Sequence, residues 1–279
     1  MIVVTGATGN VGLPLVQALT AAGEKVTAVS RGISGVPEGV LHRQADLTDP
    51  ESLRPILDGC DALFLHDGGA SAHLLSPREI LDVAKAGGVG RIVLLSSIGV
   101  ATRPQSASHG GMMRAIEDAV RRSDMDWTIL RPGGFNSNAY AWAETVRAHR
   151  TVAAPFGDVG LPTIDPADIA EVAAAALRGD GHAGQVYELT GPALTTPRQG
   201  ADALGDALGE PVRFIERTRE EARAQMLRFM PEPVVETTLD ALGEPTPAEQ
   251  RISPQVERLL GRPARTFAEW AVRNTAAFR

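Results

Sequence analysis

The chain opens on Met-Ile-Val-Val-Thr-Gly-Ala-Thr-Gly-Asn-Val-Gly, and this segment constrains the fold more than any other. A short apolar run leads into glycines at Gly6, Gly9 and Gly12, and an amphipathic helical pattern follows at once. Apolar runs this short, bounded by turn residues, read as buried strands. Glycine at the first position permits the tight turn out of the strand. The second lets backbone approach a pyrophosphate, and the third lets the helix pack on the strand. A helix starting there aims its unpaired N–H groups and the positive end of its dipole at the phosphates. The strand before and the helix after separate this pattern from a chance glycine triplet. Together they imply a dinucleotide-binding βαβ unit, with Gly6, Thr8, Gly9, Asn10, Val11 and Gly12 around the diphosphate.

Strands and helices alternate through the first two-thirds of the chain, which predicts a parallel sheet with helices on both faces. The expected strands are Ile2–Thr5, Lys25–Ser30, Val40–Gln44, Ala62–His66, Arg91–Ser96 and Trp127–Arg131, with a late one at Gln185–Leu189. Helices are expected at Val11–Ala22, Pro50–Leu57, Pro77–Ala86, Gly111–Arg122, Ala139–His149 and Pro166–Leu177. From about Thr195 the pattern becomes helices around one strand, Val212–Ile215, broken by Pro231, Pro233, Pro245 and Pro247. The implied fold class is α/β, a doubly wound parallel Rossmann sheet with a smaller helix-rich C-terminal lobe. Residues 1–135 would form the nucleotide-binding domain, with 151–192 partly returning to it. Residues 136–150 and 193–279 would form the lobe for substrate or partner.

Composition narrows the function classes. The net charge of −7 argues against a nucleic-acid partner. Cys60 is the only cysteine, so no disulfide can form within the chain, as suits a reducing cytoplasm. The six histidines and Cys60 show no metal-ligand spacing, and no metal site is expected. Met1 leads directly into the first strand, which leaves no room for a signal peptide. No apolar run approaches the ~18 residues of a membrane span.

The tip of the second strand bears on nucleotide choice. NAD-selective versions of this fold place an acid there for the ribose 2′-hydroxyl. Here Val26-Thr27-Ala28-Val29 runs into Ser30 and Arg31. A guanidinium fork and a hydroxyl suit a 2′-phosphate, whereas a carboxylate would repel one. This predicts NADP(H) rather than NAD(H), with Arg43 as a secondary contact. His66, Asp67 and Gly68 end the fourth strand, where backbone approaches the ribose and nicotinamide side of a bound dinucleotide.

The glycine spacing within Thr5–Gly12 resembles the short-chain dehydrogenase/reductase superfamily, and more closely its atypical, NmrA-like branch. Ile92-Val93-Leu94-Leu95-Ser96-Ser97-Ile98-Gly99 is similar to the strand that ends near that superfamily's catalytic serine. Asp126-Trp127-Thr128-Ile129-Leu130-Arg131-Pro132-Gly133-Gly134-Phe135, with Asn138, resembles a characteristic segment of the branch. Asp165, Asp168-Ile169-Ala170 and Tyr187–Pro192 match its later landmarks, so the resemblance runs over nearly the whole chain. It implies that Asp46 and Leu47 contact adenine and that Ser96 lies against the cofactor.

The superfamily's Tyr-x-x-x-Lys pair is absent. Glu144 stands four residues after Tyr140, and Gly191 four after Tyr187. Aligning the helix on Glu117 puts His109 at the tyrosine place and Met113 at the lysine place. An imidazole donates or accepts protons near neutral pH, so His109 is the candidate proton donor, with a surface histidine as the alternative. Ser97 can hydrogen-bond a substrate oxygen or cap the strand. Phe135, Asn138, Tyr140 and Trp142 follow the carboxyl end of the sixth strand, where this sheet class binds its substrate. Their aromatic rings suit a planar substrate, and Trp142 equally suits core packing. Glu117, Arg131 and Asp168 are expected in structural ion pairs, and the methionines in core packing.

These features point to an NADPH-dependent oxidoreductase acting on a planar conjugated carbonyl, quinone or polyketide-like molecule. Two alternatives stay open: a non-catalytic NADP(H) sensor that acts through a partner, favoured by the missing Tyr–Lys pair, and a coupling or isomerising enzyme of secondary metabolism. Homo-oligomerisation is compatible with all three.

Overall fold

The structure is a computed structural model, and it describes residues 1–32, 35–66, 73–106 and 110–279. Its first element, β1 (Ile2–Thr5), has every residue buried and ends at the glycine loop, behind which α1 (Gly12–Ala21) begins. There follow β2 (Val26–Ser30), β3 (Leu41–Gln44), α2 (Arg54–Leu57), β4 (Ala62–Leu65), α3 (Pro77–Ala86) and β5 (Arg91–Leu95). Next come α4 (Gly99–Thr102), α5 (Gly110–Arg121), β6 (Asp126–Pro132), α6 (Ala143–His149) and β7 (Thr151–Pro155). The chain continues through α7 (Pro166–Arg178), β8 (Gln185–Leu189), α8 (Pro197–Leu208) and β9 (Arg213–Arg217). Four helices close it: α9 (Arg219–Met226), α10 (Glu232–Gly243), α11 (Gln255–Leu260) and α12 (Phe267–Arg273).

Seven strands form one sheet in the order β3-β2-β1-β4-β5-β6-β8, with every neighbouring pair parallel. The central strands are apolar without alternation because both faces are covered. Val4 joins Leu15 and Val16 of α1 and Ile169 and Ala173 of α7 in one hydrophobic cluster. Its neighbour Val3, pointing to the opposite face, joins Leu57, Ile80, Ile116 and Val120 in a second. The strand order reverses direction between β1 and β4, which places the ligand crevice of such a sheet at the carboxyl ends of these strands.

A third cluster unites Ala139, Val146 and Val152 with Leu204, Phe267, Trp270 and Phe278. Beside it β7 and β9 pair in a separate two-stranded parallel sheet. The β7 strand is a correction to the sequence expectation, which held β9 alone in this region. The expected helix at Ala139–His149 is also revised: Asn136–Trp142 is 3-10 helix, and the α-helix starts at Ala143. Likewise Pro50–Leu53 is a 3-10 turn leading into α2.

Ion pairs fasten the C-terminal segments to the sheet. Asp168 of α7, fully buried, accepts from Arg262 and Arg265 and from the Arg265 backbone N–H, and Glu171 one turn on pairs with both arginines. Arg273 of α12 pairs with Asp165, the N-cap of α7. Arg103, just past α4, binds Glu249 and donates to the carbonyls of Asp240 and Glu244, bringing α10 against the end of β5. No described helix is long and apolar enough to cross a membrane, and no described residues cluster as metal ligands.

Candidate nucleotide and substrate site

Backbone geometry dictates the glycine loop. Gly6 has φ +62°, and a Cβ there would lie 2.8 Å from Cδ2 of His66. A left-handed backbone and an imidazole ring packed on the same atom leave glycine as the residue that fits. Gly9 donates to the Gly6 carbonyl at 2.9 Å and closes the turn. A Cβ on Gly12 would stand 2.1 Å from that same carbonyl oxygen, so the first turn of α1 packs directly on the loop. The helix starts with no side-chain cap. Thr8, Gly9 and Asn10 are exposed, while Val11 is buried in the first cluster and offers only its backbone. An uncapped helix start behind a turn stripped of side chains fits a diphosphate.

The loop is tied to its surroundings on three sides. Ala7 donates to the Val29 carbonyl at 3.0 Å, which fixes the loop to the tip of β2. Asn10 Nδ2 donates to Ser137 Oγ at 3.1 Å, which links it to the segment after β6. On the β4 side, Thr5 Oγ1 donates to the Phe64 carbonyl at 2.9 Å and accepts from the His66 backbone N–H at 3.1 Å. With its single proton spent, Thr5 Oγ1 meets His66 Nδ1 at 3.2 Å as an acceptor, so the imidazole proton sits on Nδ1. His66 is therefore a ring of fixed orientation packed over the first glycine.

At the β2 tip the side chains divide. Arg31 is exposed, and among the described residues no carboxylate lies within salt-bridge distance of it. Ser30 is buried, and its hydroxyl donates to the Gly32 carbonyl at 2.8 Å while lying 2.8 Å from His42 Nε2. Its hydroxyl thus holds the turn together, a correction to its expected place on a phosphate. Asp46 accepts from the backbone and hydroxyl of Thr48, both at 2.9 Å, and these bonds hold its carboxyl below the ordinary range. Leu47 is a core residue of the second cluster, so its side chain is not offered to adenine.

Ser96 is corrected too. It is buried and donates to Glu117 Oε1 at 2.6 Å. Glu117, fully buried, also receives Arg131 Nε at 2.8 Å and Nη2 at 2.6 Å, and Arg121 Nη2 at 2.8 Å. Burial alone would raise the Glu117 pKa; the bonds from Arg131 and Ser96 outweigh it, and the carboxyl is held below its ordinary value. The expected ion pairs of Glu117, Arg131 and Asp168 are thus present. Met113, at the lysine place of the related helix, is 1% exposed and belongs to the second cluster. Ser97 is partly buried at the carboxyl end of β5, and its hydroxyl accepts from the Gly99 N–H at 3.1 Å. Asp67, Gly68 and His109 lie outside the described residues.

Of the four residues expected around substrate, Asn138 is exposed and Phe135 is half-buried against the first cluster. The other two make contacts within the C-terminal lobe. Tyr140 donates to Asn274 Oδ1 at 2.6 Å and stacks among Trp270 and Phe278, and burial raises its phenol pKa. Trp142 packs on Gly200, where a Cβ would lie 3.2 Å from the indole. Both are committed to the C-terminal lobe. Sequence reasoning missed His42, Gln44, Asn136 and Ser137. Asn136 is 1% exposed, with neither Oδ1 nor Nδ2 partnered, and Thr163 Oγ1 is the other orphaned buried side-chain atom among the described residues. These two segments meet through the Phe135↔Ile164 bridge, just past the end of β6. The alternation of His42 and Gln44 along an edge strand beside Arg31 was a legible signal; nothing in the sequence marks Asn136.

Sheet order, glycine loop and uncapped helix start together define a Rossmann-fold nucleotide-binding protein. The chain belongs to the NAD(P)H-binding family, whose model matches residues 6–180. It is 35% identical to the (4-alkanoyl-5-oxo-2,5-dihydrofuran-3-yl)methyl phosphate reductase of Streptomyces griseus, across 100% of this chain and 99% of that one. It is 34% identical to the NAD(P)H azoreductase of Xenophilus azovorans, with the same coverage. Among solved structures, the NADPH complex of Escherichia coli quinone oxidoreductase QOR2 superposes with a TM-score of 0.79 at 26% identity, covering 98% of this chain and 99% of its own. NmrA, a negative transcriptional regulator crystallised with NADP, shares the fold at 18% identity and a TM-score of 0.75, over 99% of this chain and 95% of its own.

Proposed function

We propose that this protein is an NADPH-dependent reductase that delivers hydride to a planar conjugated acceptor, a carbonyl, quinone or polyketide-like ring. One observation carries this: an uncapped helix start and a side-chain-free glycine turn lie beside a strand tip that carries Ser30 and the exposed Arg31 in place of an acid. That site sits in a chain similar over its full length to reductases. The names of those relatives describe a furanone bearing conjugated carbonyl groups, azo compounds and quinones. All are planar two-electron acceptors.

When bound, NADPH supplies the hydride. Residues Gly6–Gly12 would seat the diphosphate, Arg31 would take the 2′-phosphate, and Asp46 and His66 would border the adenosine and ribose; Asp67 and Gly68, outside the described residues, are assigned to the same cofactor. The substrate lies past the ends of β5 and β6, between Ser97, Phe135 and Asn138. The chemistry the cofactor would supply is a hydride at the electrophilic end of the conjugated system, which would leave the displaced π electron pair on oxygen or nitrogen. Ser97 donates a hydrogen bond to that atom, and His109 delivers the proton that completes the two-electron reduction. Residues 1–135 act as the nucleotide-binding unit, with 151–192 partly joined to it. Residues 136–150 and 193–279 act as the substrate lobe. A cytoplasmic location suits the lone Cys60, whose thiol burial keeps protonated.

The experiment is NADPH consumption by the purified protein against a panel of quinones, conjugated enones and azo dyes, with His109→Ala beside the wild type. A general acid contributes about 10²–10⁴-fold. The expected result is acceptor-dependent consumption that His109→Ala slows to that degree while NADPH affinity holds. NADPH binding without consumption on any acceptor would contradict the proposal and favour the sensor reading, which the missing Tyr–Lys pair already motivates.

A further inference from the structure

We infer that His42, assisted by Gln44, is a positioning residue for nucleotide choice: it clamps the Ser30–Gly32 turn so that Arg31 is presented to the 2′-phosphate. This rests on the reading that Arg31 binds that phosphate.

The turn is held at each of its residues. Ser30 has one hydroxyl proton and gives it to the Gly32 carbonyl at 2.8 Å. His42 Nε2, 2.8 Å from the same oxygen, is then the donor of the second bond. Gln44 Nε2 donates to the Arg31 carbonyl at 2.8 Å. In the β2–β3 register His42 faces Ala28 and Gln44 faces Ser30, so the two clamp residues alternate onto one side of the edge strand. From the opposite side the Ala7 N–H holds the Val29 carbonyl. The Arg31 backbone is thereby fixed relative to the glycine loop, while its guanidinium is exposed, with no described carboxylate within salt-bridge distance and Asp46 the acid near enough to feel its charge.

An arginine fork discriminates a phosphate by geometry as much as by charge. A turn ordered before the ligand arrives avoids the ordering cost on binding. Neither His42 nor Gln44 contributes to a hydrophobic cluster. Losing the clamp therefore touches the discriminating arginine more than the fold or the diphosphate cradle.

The test is calorimetric titration of wild type, Arg31→Ala, His42→Phe and His42→Gln with NADPH and with NADH. His42→Phe keeps a ring without a donor, and His42→Gln returns an amide N–H at similar reach. Loss of one neutral hydrogen bond corresponds to about a three- to ten-fold change. The expected result is that His42→Phe weakens NADPH by that factor with NADH unchanged, and that His42→Gln restores NADPH. His42→Ala gives the same reading if the phenylalanine variant does not fold. Equal weakening of both nucleotides, or an unchanged NADPH affinity while Arg31→Ala abolishes the preference, would overturn the inference. A preference that survives Arg31→Ala would instead overturn the phosphate assignment beneath it.

Discussion

Gly9 shows how much a single hydrogen atom in place of a side chain can matter. A Cβ there would lie only 3.2 Å from the Gly6 carbonyl, and the branches of valine would extend over the turn that receives the diphosphate. Gly9→Val is expected to fold and to lose NADPH affinity at least about ten-fold, since the close backbone approach is blocked. Calorimetry beside a circular dichroism melt checks both halves, and unchanged affinity in a folded variant would count against the cradle. Asn136 predicts the opposite kind of outcome. Its amide is buried with both polar atoms unpaired, and an orphaned buried polar group costs about 1–3 kcal/mol. Asn136→Leu, with the same branching and number of heavy atoms, is expected to melt at or above the wild-type temperature; a clear fall beyond that of the smaller Asn136→Ala would mean that the amide has a partner. At this scale the sequence was legible where backbone geometry dictates residue type, as at Gly6 and Gly12. It was not legible where a hydroxyl or ring has several uses. Ser30, Ser96, Tyr140 and Trp142 are polar or aromatic beside a cleft, and only tertiary contacts show that each is spent on a neighbour.

Glu117 makes one unit of β5, α5 and β6. It links Ser96 at the end of β5, Arg121 one turn along its own helix and Arg131 in β6. Removing the charge leaves two arginines facing a buried amide, and breaking a buried pair costs about 3–5 kcal/mol. Glu117→Gln is expected to lose stability on that scale in urea unfolding, whereas a change within noise would show the arginines to be solvated. The sign of the pH effect follows from the depressed folded-state pKa. The carboxylate stabilises the fold above its unfolded value, near 4.5, and that stability is lost as pH falls through the lower folded value. The wild type should therefore lose stability in that acid range more steeply than Glu117→Gln. Most elements were readable from apolar runs between turn residues, because a doubly covered sheet demands them. β7 was not: Thr-Val-Ala-Ala-Pro holds two β-branched residues followed by two alanines and a terminal proline, and it is a strand because β9 pairs with it. Asn136–Trp142 was placed partly in a helix, but its Asn-Ser-Asn start competes for backbone bonds and the segment settles as 3-10.

Across the whole molecule, α7 joins the two ends of the assembly: it packs on α1 and on the sheet, and with its N-cap it holds Arg262, Arg265 and Arg273 of the C-terminal segment through charges. Asp168 alone accepts from two guanidiniums and a backbone N–H. Asp168→Ala would leave both arginines short of their buried partner, and Glu171 alone would remain for them. The C-terminal segment after α10 is expected to become the first site of limited proteolysis, with stability reduced by about 3–5 kcal/mol. Unchanged cleavage would show that the apolar contacts of Trp270 and Phe267 suffice. The landmark aspartates at 165 and 168 were visible in the sequence, but their arginine partners lie about a hundred residues away, and no local pattern couples them. The central claim, that this assembly passes hydride from NADPH to a conjugated acceptor, is tested most directly by isotope transfer. NADPH carrying deuterium on either face of C4 is incubated with the protein and the acceptor it consumes, and the product is examined by mass spectrometry and NMR. For an acceptor that gains a new C–H bond, such as an enone, the account predicts one deuterium on the carbon that was electrophilic, from one of the two labelled faces only. With an enone acceptor, whose new C–H bond does not exchange, product that gains hydrogen only from water with either label would contradict it.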